Sequence, residues 1–155
     1  MAVKPIPEGY HTATPYLIVL GAAAAIDYYK KAFGATERMR HVAPGGKIGH
    51  AEIEIGDSVI MLADEAPEMQ AFCPTTIGGT PVSIVLYVTD VDTVFNRALA
   101  GGAMPIHPLQ DKFYGDRTGT LRDPFGHMWT IATRKEDVPP EEMQRREEAE
   151  RKKKG

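Results

Sequence analysis

The sequence has very little cysteine and no long apolar run, and both absences limit what the chain can be. Cys73 is the one cysteine among 155 residues, so no internal disulfide can form, which agrees with a reducing compartment. Its neighbours Phe72 and Pro74 offer no base, which disfavours a nucleophilic thiol. The longest apolar run, residues 16–26, is too short to cross a bilayer, and the N-terminus lacks the basic start and apolar block of a signal peptide. We therefore expect a cytoplasmic protein with no membrane partner.

Motifs for nucleic acid, zinc and nucleotides are also missing from the sequence. The net charge of -3 and the lack of a basic stripe in the body of the chain argue against a nucleic-acid partner. The five histidines are scattered, and no pair has the His-x-His or His-x-x-x-His spacing of a zinc motif. No glycine pair has the spacing of a phosphate loop, and no serine lies in a recognisable nucleophile elbow. No standard catalytic motif therefore identifies the protein.

What the sequence does contain is a pattern of elements in its first half. Tyr16 to Leu20 is typical of a buried strand, and Ala22 to Phe33 of a helix. Gly34 follows directly and is free to adopt the left-handed conformation that ends many helices. Three further strands are predicted in ATERMRHV, the alternating KIGHAEIEIG and SVIMLADE, with turns between them. The order is strand, helix, then three strands.

The second half repeats this order. Ser83 to Val88 predicts a strand, and Asp90 to Ala100 predicts a helix with Asp90 as its N-cap and Gly101-Gly102 at its end. Three more strands are predicted in AMPIHPLQ, RTGTLRD and HMWTIATR. Because the period is too long for a solenoid repeat, it indicates two similar modules.

Two βαβββ modules side by side predict an α+β fold in which curved mixed sheets enclose a cleft. We expect one domain over residues 1–138, with the first module at about 12–66, a linker at 67–81 and the second module at about 82–136. Pro139-Pro140 opens a charged C-terminal helical tail over 139–155, and Glu141 and Glu142 suit the first turn of that helix. This tail is expected to be solvated, although Met143 offers a contact for a partner subunit.

Several of these segments resemble a known superfamily. The paired modules, AIDYYKKAFGA in the first helix and DPFGHMWTIA at the last hairpin are similar to the vicinal oxygen chelate superfamily, which includes glyoxalase I and the bleomycin-resistance proteins. GHAEIEIGDSVIMLADE, LAGGA, FYGDRTG and DPFGHMW resemble its PhnB-like branch. The resemblance runs from about Thr12 to Glu136. The resemblance predicts the fold more specifically than it predicts a function, since members of the superfamily differ in what they do.

The resemblance implies a cleft in which a divalent metal ion coordinates two adjacent oxygens of a substrate and stabilises an enolate-like intermediate. Its four ligand positions fall here on Thr14, Ile60, Ser83 and Thr130. None of these side chains supplies the imidazole or carboxylate that such an ion prefers, and a shift by one residue supplies none either. We therefore predict that the usual metal site is missing and assign no metal ligand, while a divalent ion held elsewhere is left open.

A substitute site is suggested by His50, which alternates with Glu52 and Glu54 along one strand and so shares one face with them. In one interpretation His50 is a catalytic base or a ligand oriented by a nearby carboxylate. In the other, the three residues form the polar outer face of a sheet. The resemblance to PhnB-like proteins at His50 and Asp64 favours a role in the cleft, with Asp64 as a ligand-binding residue.

The loop FYGDRTG is the second candidate region. Tyr114 offers an amphipathic ring, Asp116 a carboxylate, and Arg117 a planar group of donors suited to an anionic ligand. Asp116 and Arg117 are alternatively explained as partners of neighbouring residues across a hairpin. In the following strand, Trp129 is predicted to pack under a helix, which turns Thr130 towards the cleft as a ligand contact.

Two functions are consistent with the sequence. The first is a small-molecule-binding protein without the usual four-ligand metal site, which either sequesters or transforms its ligand. The second is a metal-dependent lyase or dioxygenase with a displaced site around His50 and Asp64. In either case we predict a homodimer, because paired βαβββ modules of the resembled superfamily commonly complete their clefts by association.

Overall fold

The computed structural model describes residues 2–155 and confirms the two βαβββ modules. The first contains β1 (Tyr16–Val19), α1 (Ala22–Phe33), β2 (Thr36–Val42), β3 (Ile48–Ile55) and β4 (Ser58–Asp64). The second contains β5 (Ser83–Tyr87), α3 (Val91–Ala100), β6 (Met104–Asp111), β7 (Asp116–Arg122) and β8 (Met128–Arg134). Between them lie a 3-10 turn (Pro67–Met69) and the short helix α2 (Pro74–Ile77), and α4 (Pro140–Lys154) closes the chain.

Each module forms its own four-stranded mixed sheet. The strand orders are β1-β4-β3-β2 and β5-β8-β7-β6. In each sheet the first strand pairs in parallel with the last, and the remaining pairs are antiparallel. The two sheets therefore have the same topology, as the repeat in the sequence predicts.

The helix ends follow the local sequence signals. Gly34 adopts the left-handed conformation (φ 70°) at the end of α1, and the side chain of Asp90 accepts a hydrogen bond from the Thr93 amide at the start of α3. The start of α1 has no cap from its own segment. The Asp64 carboxylate at the end of β4 accepts hydrogen bonds from the amides of Gly21 and Ala22 instead. A strand therefore completes the N-terminus of the helix that it packs against.

Each sheet has a face that packs on the helices and a face that is turned away from them, which we call the open face. On β3, Ala51, Ile53 and Ile55 are buried, whereas the alternating His50, Glu52 and Glu54 are half-buried on the open face. On β8, Trp129 is fully buried as predicted, and Thr130 lies on the open face. One hydrophobic core extends through both modules, and α1 packs against α3.

Polar bonds tie the modules together within this core. Asp123, which is 3% exposed, accepts hydrogen bonds from Tyr29 Oη at 2.6 Å and Trp129 Nε1 at 2.8 Å. Tyr29 belongs to the first module and Trp129 to the second. At the module boundary His127 Nε2 lies 2.8 Å from the carbonyl oxygen of Ile18, so this ring nitrogen carries the donated proton. These bonds hold the two sheets in one arrangement.

The C-terminal helix α4 is stabilised mainly by charge. It has Pro140 at its first turn and Glu141 and Glu142 next to it, as predicted, and none of its residues is buried. Its Arg146 bonds to Glu136 and to the carbonyl of Phe113, which anchors the helix beside the second module. Across the described chain, none of the helices combines the length and apolar character needed to cross a membrane.

Candidate functional site

The open face of the first sheet carries a row of side chains contributed by three strands. Tyr16 of β1 is in register with Met61 of β4, and Met61 is in register with Glu52 of β3. Residues in register across a sheet point to the same face, so these three side chains lie side by side. His50 lies two positions before Glu52 on β3, so its side chain points to the same face. The polar groups predicted on β3 therefore meet a tyrosine that comes from a distant part of the chain.

These polar groups form a continuous hydrogen-bonded chain, which we call the tyrosine-histidine relay (Tyr10, Glu52, His50 and Tyr16). Tyr16 Oη lies 2.8 Å from His50 Nδ1, and His50 Nε2 lies 2.9 Å from Glu52 Oε2. The other oxygen of Glu52 accepts a hydrogen bond from Tyr10 Oη. The side chains of His50 and Glu52 are 29% and 17% exposed, so the relay is sheltered but reachable by a ligand.

The relay perturbs the acidity of its own members. Hydrogen bonds from Tyr10 and then from His50 lower the pKa of Glu52, which keeps this side chain an ionised carboxylate. Burial, followed by the bond to Glu52, raises the pKa of Tyr10 to about 12. Burial and the nearby Glu52 charge also raise the pKa of Tyr16, so its phenol stays protonated around neutral pH.

Two cavities meet at Tyr16. The first, which we call the first-sheet cavity, has a volume of about 390 Å³. It lies over the ends of β1 and β4 and is lined by Tyr16, Ile18, Ala63, Lys47, Met69 and others. The second, the inter-module groove, has a volume of about 620 Å³ and is lined by residues at the starts of β1 and β5, including Tyr16, Thr14, Ser83 and Met128. The tyrosine of the relay is therefore a wall of both spaces.

Asp64, predicted as a ligand-binding residue, also lines the first-sheet cavity. Both of its carboxylate oxygens already accept hydrogen bonds from the backbone. Its Oδ1 accepts bonds from the amides of Gly21 and Ala22, and its Oδ2 accepts one from Ile48 N at 2.8 Å. Three backbone donors thus hold this carboxylate at the junction of β4, α1 and β3. The geometry gives Asp64 the task of fixing the cavity wall.

The predicted residues of FYGDRTG are separated by the strand that contains them. Asp116 is 3% exposed and accepts a 2.6 Å bond from Tyr87 Oη and a longer one from Arg134. Arg117 points the opposite way and forms a two-pronged bond with Asp92 at the start of α3. Tyr114 is half-buried and packs edge-on against Phe113. Asp116 and Arg117 nevertheless line one cavity of about 600 Å³, although each is bonded to a different protein partner.

Thr130 lies on the open face of the second sheet, as predicted. Its hydroxyl is 2.8 Å from that of Thr120 on β7, and its register partners across the sheet are Thr120 and Val85. This hydroxyl pair is the second-sheet counterpart of the polar row on the first sheet. It is small and neutral, so it suits hydrogen bonding to a ligand and does not suit proton transfer.

The four positions of the superfamily metal site carry side chains that do not suit a divalent metal ion. Ile60 is 1% exposed on the helix-packed face, and its neighbour Met61 takes the open-face position on β4. Thr14 and Ser83 line the inter-module groove, and Thr130 bonds to Thr120. Hydroxyl and thioether groups do not replace the imidazole and carboxylate ligands that such a site needs.

His50 and Asp64, the centre of the predicted alternative metal site, are both bonded to protein groups. Both ring nitrogens of His50 are engaged, one by Tyr16 and one by Glu52. The Asp64 oxygens are held by backbone amides. Within residues 2–155, no group of three or more His, Cys, Asp and Glu side chains is placed to hold a metal ion.

Tyr16 as the partner of His50 and Tyr10 as the partner of Glu52 were not predicted from the sequence. Period-two alternation places Tyr16 on one face with Ile18, but nothing in the sequence states that this face is shared with His50. Tyr10 lies outside every helix and strand, so no periodicity marks it. Both contacts join residues that are more than 30 positions apart in the chain.

The fold is that of paired βαβββ modules, and the open face of the first sheet carries a hydrogen-bonded polar relay. A family model of the Glyoxalase/Bleomycin resistance protein/Dioxygenase superfamily matches residues 10–131. The chain belongs to this superfamily, as its motifs predicted.

Relatives agree with this assignment. The uncharacterized protein Mb0911c of Mycobacterium bovis is 46% identical over 134 residues, which is 84% of this chain and 88% of that protein. The crystal structure of TioX from Micromonospora sp. ML1 is similar at a TM-score of 0.63 and 30% identity, over 79% of this chain and 98% of that one. A PhnB protein from Bacillus cereus has the same fold at a TM-score of 0.63 and 19% identity, over 79% and 99% of the two chains.

Proposed function

We propose that this protein binds a small organic molecule against the open face of its first sheet, without the four-ligand metal site of the superfamily. The observation that carries the proposal is Tyr16, which lines two cavities and is hydrogen-bonded to His50 of the relay, together with the unsuitable side chains at the four metal positions. A mostly apolar space with a few convergent polar groups is the usual form of a ligand site.

The first-sheet cavity suits a ligand of modest size. Its volume of about 390 Å³ falls within the roughly 300–1,000 Å³ typical of ligand pockets. Ile18, Ala63 and Met69 supply apolar contacts, and Tyr16 supplies a ring with a polar tip. His50 serves as the acid or base behind Tyr16 if the bound molecule is transformed.

The second sheet contributes less to this proposal. Thr130 and Asp116 lie on its open face, where Thr130 is the better placed to contact a ligand because Asp116 is already bonded to Tyr87 and Arg134. Arg117 is held by Asp92 on the opposite face, so its proposed task is structural. Tyr114 stands at the adjoining loop, where it can contact a ligand only at the edge of the sheet.

A homodimer is part of the same proposal. Large side chains on the open faces are exposed in the single chain, namely Val85 at 52%, Tyr87 at 63%, Met104 at 57% and Met39 at 41%. Apolar residues grouped on one face of a sheet mark a surface that is covered by another element. We propose that a second copy of the chain covers these side chains. We also propose a reducing compartment such as the cytoplasm, because the single buried thiol of Cys73 suits such a compartment. Light scattering at micromolar concentration should give twice the 17.0 kDa of the chain, and a lone monomer would contradict the dimer.

Metal analysis and a ligand screen of purified protein test the central proposal. We expect a protein whose unfolding temperature is insensitive to a chelator and rises with aromatic or dicarbonyl compounds in a thermal-shift screen. At a concentration of 100 Kd, binding adds about 2.7 kcal/mol, which raises the unfolding temperature of a domain of this size by about 5–11 °C.

His50→Ala should weaken this ligand-induced shift because it removes the centre of the relay. His41→Ala is the matched control, since His41 is in register with His50 on β2 but is exposed. Stoichiometric metal that is lost on His50→Ala would overturn the proposal in favour of a metal-dependent lyase or dioxygenase. An unchanged ligand shift in His50→Ala would place the ligand elsewhere on the protein.

A further inference from the structure

The hydrogen bonds of the relay determine which ring nitrogen of His50 carries its proton. Glu52 is ionised, and a carboxylate can only accept a hydrogen bond, so the proton of the His50–Glu52 bond belongs to His50 Nε2. In neutral imidazole the other nitrogen, Nδ1, then has a free lone pair. Tyr16 Oη, 2.8 Å away, must be the donor of the Tyr16–His50 bond. The phenol proton of Tyr16 therefore points at a base.

This arrangement has a consequence for the cavity side of Tyr16. Since its proton is directed at His50, the phenol oxygen presents lone pairs and no proton to other partners. Tyr16 is 47% exposed and lines both the first-sheet cavity and the inter-module groove. A ligand that touches this oxygen therefore meets an acceptor that is coupled to a base behind it. The order of groups, hydroxyl to imidazole to carboxylate, is that of an activated hydroxyl.

We propose that Tyr16 is the ligand-facing proton-transfer residue of this protein, and that its ligand carries a weakly acidic hydroxyl, as in a phenol or an enol. This inference rests on the proposed binding of a small molecule at the first-sheet cavity. An aromatic or conjugated ring suits the apolar contacts of Ile18, Ala63 and Met69, and its hydroxyl suits the acceptor at Tyr16. Neither the superfamily match nor the four metal positions assign a role to this residue.

The transfer balances without any further reagent. The ligand O–H bond breaks, and its proton passes to the oxygen of Tyr16. At the same time the Tyr16 O–H bond breaks, and that proton passes to Nδ1 of His50. The products are a bound ligand anion, a neutral Tyr16 and a His50 imidazolium paired with the Glu52 carboxylate. Tyr16 is neutral before and after the transfer, in agreement with the raised pKa of its phenol.

Glu52 and Tyr10 act as positioning residues in this scheme. Glu52 fixes the tautomer of His50 and stabilises the imidazolium, and Tyr10 holds the second oxygen of Glu52. Arg38 packs its guanidinium 5.3 Å from the centre of the Tyr10 ring, and His41 faces His50 from β2. The charged residues at the first-sheet cavity are Lys47, Asp64, Glu65 and Glu68. Lys47 is the cation among these four residues, and it is the group that would pair with a ligand anion in the presence of the three carboxylates.

A chromophoric phenol provides the test. Purified protein is titrated with 4-nitrophenol in a buffer below the pKa of the free phenol, and the phenolate absorbance of the bound probe is recorded. We expect the apparent pKa of the bound probe to fall by about one unit, which is a tenfold gain in the ratio of ionised to neutral probe. Tyr16→Phe and His50→Gln should abolish this gain, and Glu52→Gln should reduce it. His41→Gln is the matched control and should leave it unchanged.

Binding is measured separately by equilibrium dialysis, so that the two proposals fail differently. If the probe binds the wild-type protein without any gain in ionisation, or fails to bind at all, the inference is overturned for phenols. The small-molecule proposal is then still decided by its own ligand screen. Equal ionisation in wild type and Tyr16→Phe would also overturn the inference.

A second measurement needs no ligand. The nitrogen chemical shifts of His50 report its tautomer directly, and we expect the proton on Nε2 in the neutral ring. Glu52→Gln should shift the tautomer population, whereas His41→Gln should not. A His50 ring protonated on Nδ1 in the wild-type protein would refute the relay, whatever the probe shows.

Discussion

Asp123 is the residue at which a conservative change should be most costly to stability. Its Oδ2 accepts from Tyr29 Oη and Trp129 Nε1, and its Oδ1 accepts from the amides of Phe125 and His127. Tyr29 and Trp129 are both fully buried. Asp123→Asn keeps the shape of the side chain but replaces one oxygen by an NH2 group. In one orientation of the amide, its NH2 group faces the donors of Tyr29 and Trp129. In the other orientation, it faces the backbone amides of Phe125 and His127.

The size of the effect follows from those two lost bonds. A buried donor left without an acceptor costs about 1–3 kcal/mol, so two of them should destabilise the protein by about 3 kcal/mol or more. In a domain of this length, 3 kcal/mol corresponds to a fall of about 6–12 °C in the unfolding temperature. The loss is large because the site joins α1 of the first module to the last hairpin of the second.

Calorimetry and urea unfolding measure this change in wild type and variant. Asp57→Asn is the control, since Asp57 is 90% exposed at its side chain and its change should stay within about 0.5 kcal/mol. Adding Tyr29→Phe to Asp123→Asn removes one of the stranded donors, so the double variant should be about 1 kcal/mol more stable than the sum of the singles predicts. An Asp123→Asn protein as stable as Asp57→Asn would refute the reasoning.

Two further predictions concern packing and pH. Gly119→Ala should destabilise the protein by about 1–3 kcal/mol, because its new Cβ would lie 2.7 Å from Phe95 Cε2, whereas Gly49→Ala, at 3.6 Å from His41 Cδ2, should be nearly neutral in the same urea assay. Glu142 has its pKa lowered from 4.5 to about 2 by Arg145 and Arg146. Because the folded pKa is depressed, its support of α4 is complete above pH 4.5 and is lost as the pH falls towards 2. Amide NMR shifts of α4 should follow this change, and Glu142→Gln should abolish it.

The fold could be predicted because its signals are local. The helix end at Gly34, the cap at Asp90 and the alternation around Trp129 each depend on residues within a few positions of one another, and all are confirmed. The two short helical turns in the linker were not predicted, because Pro67 and Pro74 can start a turn or simply interrupt an element.

The candidate site was less predictable, because its contacts join distant segments. His50 was singled out from the sequence, but its partner Tyr16 reaches it across β4. Arg117 was considered either as a donor to an anionic ligand or as a partner across a hairpin, and it bonds both to Asp111 across the hairpin and to Asp92 on α3. The metal-position residue Ile60 proved to face the core, so Met61 is its open-face neighbour, a shift of one residue that only strand register decides.

The parallel pairing of the first and last strand in each module has a consequence for the order of folding. β2, β3 and β4 form hairpins between neighbours, but β1 must wait for β4, and β5 must wait for β8. Non-local pairings of this kind form late, since the chain between them must be ordered first. During synthesis β1 leaves the ribosome well before its partner strand. We therefore expect β1, and Tyr16 with it, to join the first sheet after β2, β3 and β4 have paired, so that the contact between Tyr16 and His50 forms late in the folding of that module.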